Sequence, residues 1–383
     1  MIETRIGARA LNGQVAVATT ARLVITIGHR IAYPFLPAIA RGLGVPLQSA
    51  GILITLLLAT GLLSPLLVTA GMLIVAAGAT LIGTARAGAL PVAAAGFILL
   101  GLGKITFDPS LRAYLGDRIP YERRGRMLAI TELSWAGALL IGAPAAGWLI
   151  ARAGWRAPYA AVATLALVGA LAIRLVLPGT HERPGRGPGA ITVRQALQFV
   201  LRRPPALAAL AVTGLIMLAH ELLFVVYGTW METNFGLSLG TLGLATAVVG
   251  AGELFGELSA GGLVDRLGKR RAIAIGLALT AGSYFVWPLT SRALVPALIS
   301  LFGLLFCFEF TFVATLPLIT ELVPQARATI ISLNGTVDHL GRSLGALVAL
   351  PLWSLAGLWG NGLAAGAATL LAVVLLAWVR TEV

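Results

Sequence analysis

Between Arg41 and Arg86 the sequence holds no Asp, Glu, Lys or Arg, and similar uncharged runs recur along the chain, separated by short basic clusters. About 20 apolar residues in a row are what a helix needs to cross the ~30 Å hydrocarbon core of a bilayer. Composition closes off the other classes. Of 383 residues, 58% are hydrophobic and 11% are charged, with a mean hydropathy of +0.92. A soluble domain carries about a quarter of its residues charged, so neither an ordinary soluble enzyme nor a disordered chain fits. The formal charge of +13 would suit a nucleic-acid binder only if it formed a surface. It sits between apolar runs instead, so no nucleic-acid partner is expected. The single cysteine, Cys307, excludes an internal disulfide and a Cys-based metal cluster.

Twelve spans are expected. Six lie at about Val15–Ala40, Leu47–Leu67, Thr69–Thr84, Pro91–Leu115, Met127–Ile150 and Pro158–Leu177. Six more follow at about Ala206–Trp230, Gly240–Val264, Ala272–Leu289, Leu294–Leu322, Ala328–Leu355 and Gly362–Val379. Residues 1–13 do not read as a signal peptide, because Arg22 interrupts the apolar run behind them. Most of the basic residues collect on the side that holds both ends of the chain. The other side has only Arg41, Arg86, Arg152, Arg156 and Arg292. By the positive-inside rule the first side is cytoplasmic, which implies the inner membrane, cytoplasmic termini and contact with anionic lipid. A six-span bundle is expected over 1–177, a cytoplasmic linker over 178–204 and a second bundle over 205–383. Within the linker, Val193, Ala196, Leu197 and Val200 fall at helical spacing. Two readings stand, a short helix on the membrane face and a plain tether.

The halves read as copies. Gly44 and Gly51 match Gly236 and Gly243; Pro120, Arg123, Gly137 and Trp155 match Pro324, Arg327, Gly341 and Trp359. Tandem parallel repeats are one of the plans on which transporters are built. The second half carries AGGLVDRLGKRR between its second and third spans, where the first half has no charge at all.

That segment resembles the Gly-x-x-x-Asp-Arg-x-Gly-Arg-Arg loop of the major facilitator superfamily, through Gly261, Asp265, Arg266, Gly268, Lys269 and Arg270. Gly142, Pro144 and Gly147 in the fifth span are similar to the Gly-Pro antiporter motif of its drug-efflux members, departing at Ala143 and Trp148. The fourth-span Arg-x-x-Gln-Gly element is not recognisable, and Phe97 stands about where its arginine would be. The resemblance implies an all-α membrane protein of 12 transmembrane helices in two six-helix pseudo-repeats. In that fold the first and fourth helices of each half line a cavity, and the motif aspartate latches the cytoplasmic side.

Charges inside a bilayer cost roughly 2.5–3.5 kcal/mol each on insertion scales, so they need a partner, a cavity or a purpose. The candidates for a substrate and proton pathway are His29, Arg30, Lys104, Asp108, Arg112, Glu132, His220, Glu221, Tyr227, Glu309, Asp338 and Arg342. Arg22, Glu253, Glu257 and His339 are further intramembrane charges or titratable groups. Lys104, Asp108 and Arg112 form one stripe four residues apart, and Asp338 with Arg342 forms a similar pair. These read either as structural ion pairs or as pathway groups. Glu309 lies among Phe302, Phe306 and Phe312, and Glu221 precedes Phe224, Tyr227 and Trp230. Each acid reads either as a proton or cation site or as a helix–helix hydrogen bond. Buried charge is mainly basic in the first half and mainly acidic in the second, which suits an amphoteric or cationic solute.

No phosphate-binding loop, metal cluster or nucleophile–base pair appears, so neither an enzyme nor a cofactor is expected. The chain is expected to be a monomeric secondary transporter of a small organic molecule, working by alternating access as a proton-coupled efflux system. Uptake of a sugar or amphoteric solute, and a non-transporting receptor or assembly protein, are the rival readings.

Overall fold

The computed structural model describes residues 2–60, 68–118, 130–177 and 193–379. The chain divides into two compact units. Met1–Thr180 with Gly236–Gly250 form the first, and His181–Phe235 with Ala251–Val383 form the second. Every regular element among the described residues is helical. Lipid offers backbone groups no hydrogen bonds, and a helix satisfies its own internally.

In the first unit α1 covers Ile2–Arg30, α2 Leu36–Leu43, α3 Leu47–Ala59, α4 Val68–Thr84 and α5 Leu90–Arg118. Helix α6 runs over Ile130–Ala153 with a π-helical turn at Ala138–Gly142, and α7 covers Ala157–Val176. The short α8, Val193–Leu201, leads into α9, Pro204–Phe235. Helix α10 (Leu239–Leu267) belongs to the first unit as far as Gly250 and to the second beyond it. Then come α11 (Lys269–Val286, with a 3₁₀ turn to Thr290), α12 (Leu294–Leu322) and α13 (Arg327–Leu376).

Eight helices among the described residues are long and apolar enough to cross a membrane, and the pair α2 and α3, bent by 115°, supplies a ninth if counted as one span. The twelve spans read from the sequence are consistent with this, falling in order on α1, α3 to α7, α9 to α12 and the two arms of α13. Two boundaries differ. The first span was expected to run to Ala40, but α1 ends at Arg30 and turns occupy residues 31–35. Pro34 has no N–H to donate and disfavours helical backbone at Tyr33, and Pro37 sits in the first turn of the new helix α2. The eleventh and twelfth spans meet at Gly357, whose φ of 58° and ψ of −153° suit only glycine.

Backbone geometry repeats between the halves as the glycine spacing implied. Gly44 (φ 67°) precedes α3, and Gly236 (φ 61°) precedes α10 at the matching position. Gly154 (φ 83°) turns α6 into α7 much as Gly357 turns the two arms of α13.

Within lipid the apolar effect does not hold helices together; close van der Waals approach does. Helices α4 and α5 achieve it through glycines. A Cβ on Gly71 would stand 2.8 Å from the Gly103 carbonyl oxygen, and one on Gly78 would stand 2.7 Å from that of Gly96. Gly341 of α13 packs onto the Gly214 backbone of α9 in the same manner. Large apolar side chains such as Leu175, Leu355 and Val374 are exposed, as lipid-facing residues should be. Buried threonines return their hydroxyls to carbonyls one turn back, for example Thr26 to Arg22 and Thr246 to Leu242.

Helix α8 occupies Val193–Leu201, within the stretch for which a short helix and a plain tether were the two readings. Val200 is buried, while Leu197, Phe199 and Leu201 are exposed. Arg203 just beyond it donates to the Leu322 carbonyl at 3.2 Å. Residues 178–192 of the expected linker, Pro120 and Arg123 of the repeat, and the uncharged join near Leu67 lie outside the described residues.

Candidate functional site

Two buried ion networks stand out, one in each unit. The first has Arg22 at its centre. Its position follows from sequence: Arg22, Thr26 and Arg30 are four apart and share one face of α1. Arg22 is 4% exposed. Its Nε donates to Asp108 Oδ1 at 3.2 Å, its Nη1 to the Thr131 carbonyl at 2.8 Å, and its Nη2 lies 2.8 Å from Glu132 Oε2. Lys104, one turn before Asp108 on α5, donates to Asp108 Oδ2 at 2.8 Å. Arg112 lies 3.1 Å from Glu132 Oε1 at the exposed edge. Three cations thus face two carboxylates. Arg30 extends the row: its Nη1 donates to the Trp135 carbonyl at 3.1 Å and its guanidinium lies 4.2 Å over the Trp135 ring. Lys104 Nζ is 5.5 Å from the same ring centre. The aromatic face partly replaces the water these cations have lost.

The second network joins α9 to α13. Arg342 Nε donates to Asp338 Oδ1 at 2.8 Å, and its Nη1 donates to Glu221 Oε1 at 2.8 Å. His220 Nδ1 lies 3.3 Å from Arg342 Nη1 and 3.5 Å from Glu221 Oε1. The His220 ring stacks on Phe224, at 4.7 Å between ring centres, and meets Phe308 at a tilt, at 4.3 Å. Here one guanidinium faces two carboxylates, so with a neutral imidazole the surplus is negative. Asn361 donates to the Leu222 and Ala349 carbonyls at 2.7 and 3.0 Å, clamping the same two helices. Each network ties the first helix of its half to the fifth, with the charges exchanged. Arginine is on the first helix and glutamate on the fifth in one half; in the other the order is reversed.

The geometry brings together most of the residues singled out from sequence. Arg30, Lys104, Asp108, Arg112 and Glu132 belong to the first network, and His220, Glu221, Asp338 and Arg342 to the second. The stripe on α5 divides: Arg112 pairs with Glu132 on α6, while Lys104 pairs with Asp108. His29 is buried on α1 beside Arg30. Tyr227 is fully buried, at 6.4 Å from the Phe224 ring. Glu309 is also buried, but its Cβ packs toward α10 at Gly256. Phe97 is wholly buried edge-on to Tyr159, so an apolar contact fills the position where the resemblance would have an arginine.

In the resembling loop, Gly268 (φ 80°) separates α10 from α11. Lys269 pairs with Glu321 at the end of α12, and Arg270 donates to the Ala377 carbonyl at 3.0 Å. Gly261, Asp265 and Arg266 are exposed, and Asp265 forms no ion pair among the described residues. Gly142 packs on Ile27 of α1; a Cβ on Gly147 would stand 2.5 Å from the Leu239 carbonyl and 3.3 Å from Gly243. Pro144 lies in the same contact, so the glycines of this motif serve close helix packing.

Three participants lie outside the residues singled out from sequence. Arg22 was recognisable from its four-residue spacing to Thr26 and Arg30, and Trp135 from its place one turn after Glu132. Phe308 gave no comparable signal, because its meeting with His220 depends on how α12 packs against α9.

The sequence model described as Major Facilitator Superfamily matches residues 18–346 and 209–383. The chain is 26% identical over 230 residues to the uncharacterized MFS-type transporter YceJ of Bacillus subtilis, covering 58% of this chain and 56% of that protein. It therefore spans little more than half the length of that relative. It is 27% identical over 361 residues to a chloramphenicol resistance protein of Streptomyces lividans, covering 88% and 89% of the two. With the lysophospholipid transporter LplT of an Enterobacter species the identity is 27% over 272 residues, covering 68% and 66%. A crystal structure of a bacterial homologue of the human lysosomal transporter Spinster, inward-facing and unoccupied, superposes with a TM-score of 0.66 at 16% identity, over 97% of this chain and 96% of that one. Helical fold, internal repeat and family match agree: the chain belongs to the Major Facilitator Superfamily.

Proposed function

We propose that the protein is a secondary active transporter that exports a small organic solute by alternating access, coupled to protons. The observation that carries this reading is the pair of buried networks, each joining the first and fifth helices of its half. Insertion of so many charges into apolar helices is costly, and a purely structural bundle could use apolar packing at the same positions. The acids Asp108, Glu132, Glu221, Glu309 and Asp338 are the proposed proton carriers. The similarity to a chloramphenicol resistance protein supports export. The opposite surplus charges support an amphoteric or cationic solute, which also leaves proton-coupled uptake of such a solute as a second reading. The moving bodies are the halves 1–177 and 205–383, linked by 178–204. On this reading the protein sits in the inner membrane as a monomer with both termini cytoplasmic.

Proteoliposomes loaded with a pH-sensitive dye and challenged with a panel of amines, zwitterions, sugars and lysolipids test this. Solute-dependent proton movement out of phase with solute flux is expected. Proton and solute moving together would favour uptake; no flux with any solute, in vesicles shown to hold folded protein, would favour a receptor.

A further inference from the structure

Four arginines stand at one end of the first unit, on the side where the basic residues of the chain are otherwise scarce. Arg41 lies near the end of α2, Arg86 in the α4–α5 turn, and Arg152 and Arg156 bracket the α6–α7 turn. The three turns are bound together. The Gly88 N–H donates to the Leu43 carbonyl at 2.6 Å. Arg156 Nε donates to the Ala85 carbonyl at 2.8 Å. The Trp155 ring packs on the bare backbone of Gly42, where no other residue would fit.

None of these turns, over residues 36–47, 84–90 and 148–158, contains Asp or Glu. Arg86 and Arg152 form no ion pair among the described residues. Two tryptophans fix its depth. Trp148 is 52% exposed on the outer face of α6, with the Arg152 guanidinium 4.4 Å over its ring. Arg156 lies 5.3 Å from the Trp155 ring centre. An indole exposed one turn before the helix end marks the boundary between hydrocarbon and headgroups, where tryptophan is enriched. Arginine forks match phosphate oxygens two at a time.

We propose that this end of the first unit binds the phosphodiester headgroup of an anionic phospholipid, with Arg86 and Arg152 as its direct contacts. Arg156 holds the α4–α5 turn in place through Ala85, and Trp148 packs along the glycerol and upper acyl chain. The occupant is a lipid because Trp148 gives the site an apolar wall that a free phosphate would not use.

Native mass spectrometry of the full chain, supplied with dioleoyl-phosphatidylglycerol or dioleoyl-phosphatidylcholine, tests the proposal. Wild type should retain phosphatidylglycerol in preference to phosphatidylcholine. Each arginine near an anionic surface contributes about 1 kcal/mol, so Arg86→Gln with Arg152→Gln should weaken retention about thirty-fold, at about 1.4 kcal/mol per tenfold. Both side chains are exposed, and an unchanged melting profile will show that the double variant is folded. Equal retention by wild type and variant, or no preference for the anionic lipid, would overturn the proposal. Displacement of the lipid by millimolar inorganic phosphate would also overturn it, in favour of a free-anion site. Should the variant misfold, wild type treated with a headgroup-photoreactive phosphatidylglycerol decides: labels at Arg86 or within residues 148–156 support the site, and labels only elsewhere refute it.

Discussion

Replacing Arg342 with methionine should destabilise the second unit far more than removing a surface ion pair would. Glu221 is wholly buried and meets the guanidinium at 2.8 Å. At an effective dielectric of about 20, unit charges at that separation attract by roughly 6 kcal/mol. This offsets a desolvation cost of several kcal/mol for each ion, so the net worth of the intact pair is small. Deleting the cation alone removes the guanidinium partner of both Glu221 and Asp338, a loss of about 3–5 kcal/mol. For a unit of this size the melting temperature should fall by roughly 10 °C. The double variant Arg342→Met with Glu221→Met should regain the part of the loss that comes from Glu221, because an apolar pair of similar volume is commonly neutral at a buried site; the part due to Asp338, whose side chain is 17% exposed, should remain. Thermal unfolding of the detergent-solubilised protein, monitored by intrinsic fluorescence in a double-mutant cycle, measures both. A single variant within about 2 °C of wild type would show that the site is hydrated and the network energetically slack. A double variant as unstable as the sum of its singles would refute the coupling through Glu221.

Three further outcomes are expected. Asp108→Asn and Glu309→Gln should each abolish gradient-driven transport while leaving folded protein, and unchanged flux in both would reduce them to structural groups. With Cys307 replaced by alanine, a cysteine introduced at Gly185 should resist an impermeant thiol reagent in intact cells, and ready external labelling would invert the topology. Gly357→Ala should cost about 1–3 kcal/mol, the usual range for a side chain forced into sparsely populated backbone angles; a melting curve that does not move would show that the turn at Gly357 relaxes freely.

Much of the architecture was legible because the bilayer forces a simple code. Uncharged runs gave the spans, and the glycine spacing gave the repeat, which reappears as matched positive φ at Gly44 and Gly236. The ion pairs within one helix, Lys104 with Asp108 and Asp338 with Arg342, were readable because residues four apart must meet. Pairing between helices was not. Nothing in the order of residues announces that Arg112 leaves the α5 stripe for Glu132, or that Phe308 rather than Phe312 meets His220. Those contacts depend on the rotation of each helix about its axis, which packing settles. The early end of α1 was half visible, since Pro34 lies inside the expected first span and cannot continue a helix unbroken.

The π turn in α6 has its own consequence for how that helix can change. A wide turn of this kind arises from one extra residue in an α-helix, and one residue advances the helix by about 100°. The face that carries Glu132 and Trp135 into the ion network is therefore phased separately from the face that carries Gly142, Gly147 and Trp148. Moving the wide turn along the helix would exchange a few hydrogen bonds for equivalent ones and rotate only the residues it passes. Such a turn would act as a screw thread, letting one end of the helix turn while the other stays seated. Deleting Leu140 should remove the thread and lock the two faces into a single phase. Cysteine pairs placed across α1 and α6 would report this as cross-links lost beyond the deletion but kept before it, and unchanged cross-linking on both sides would show that the turn carries no such freedom.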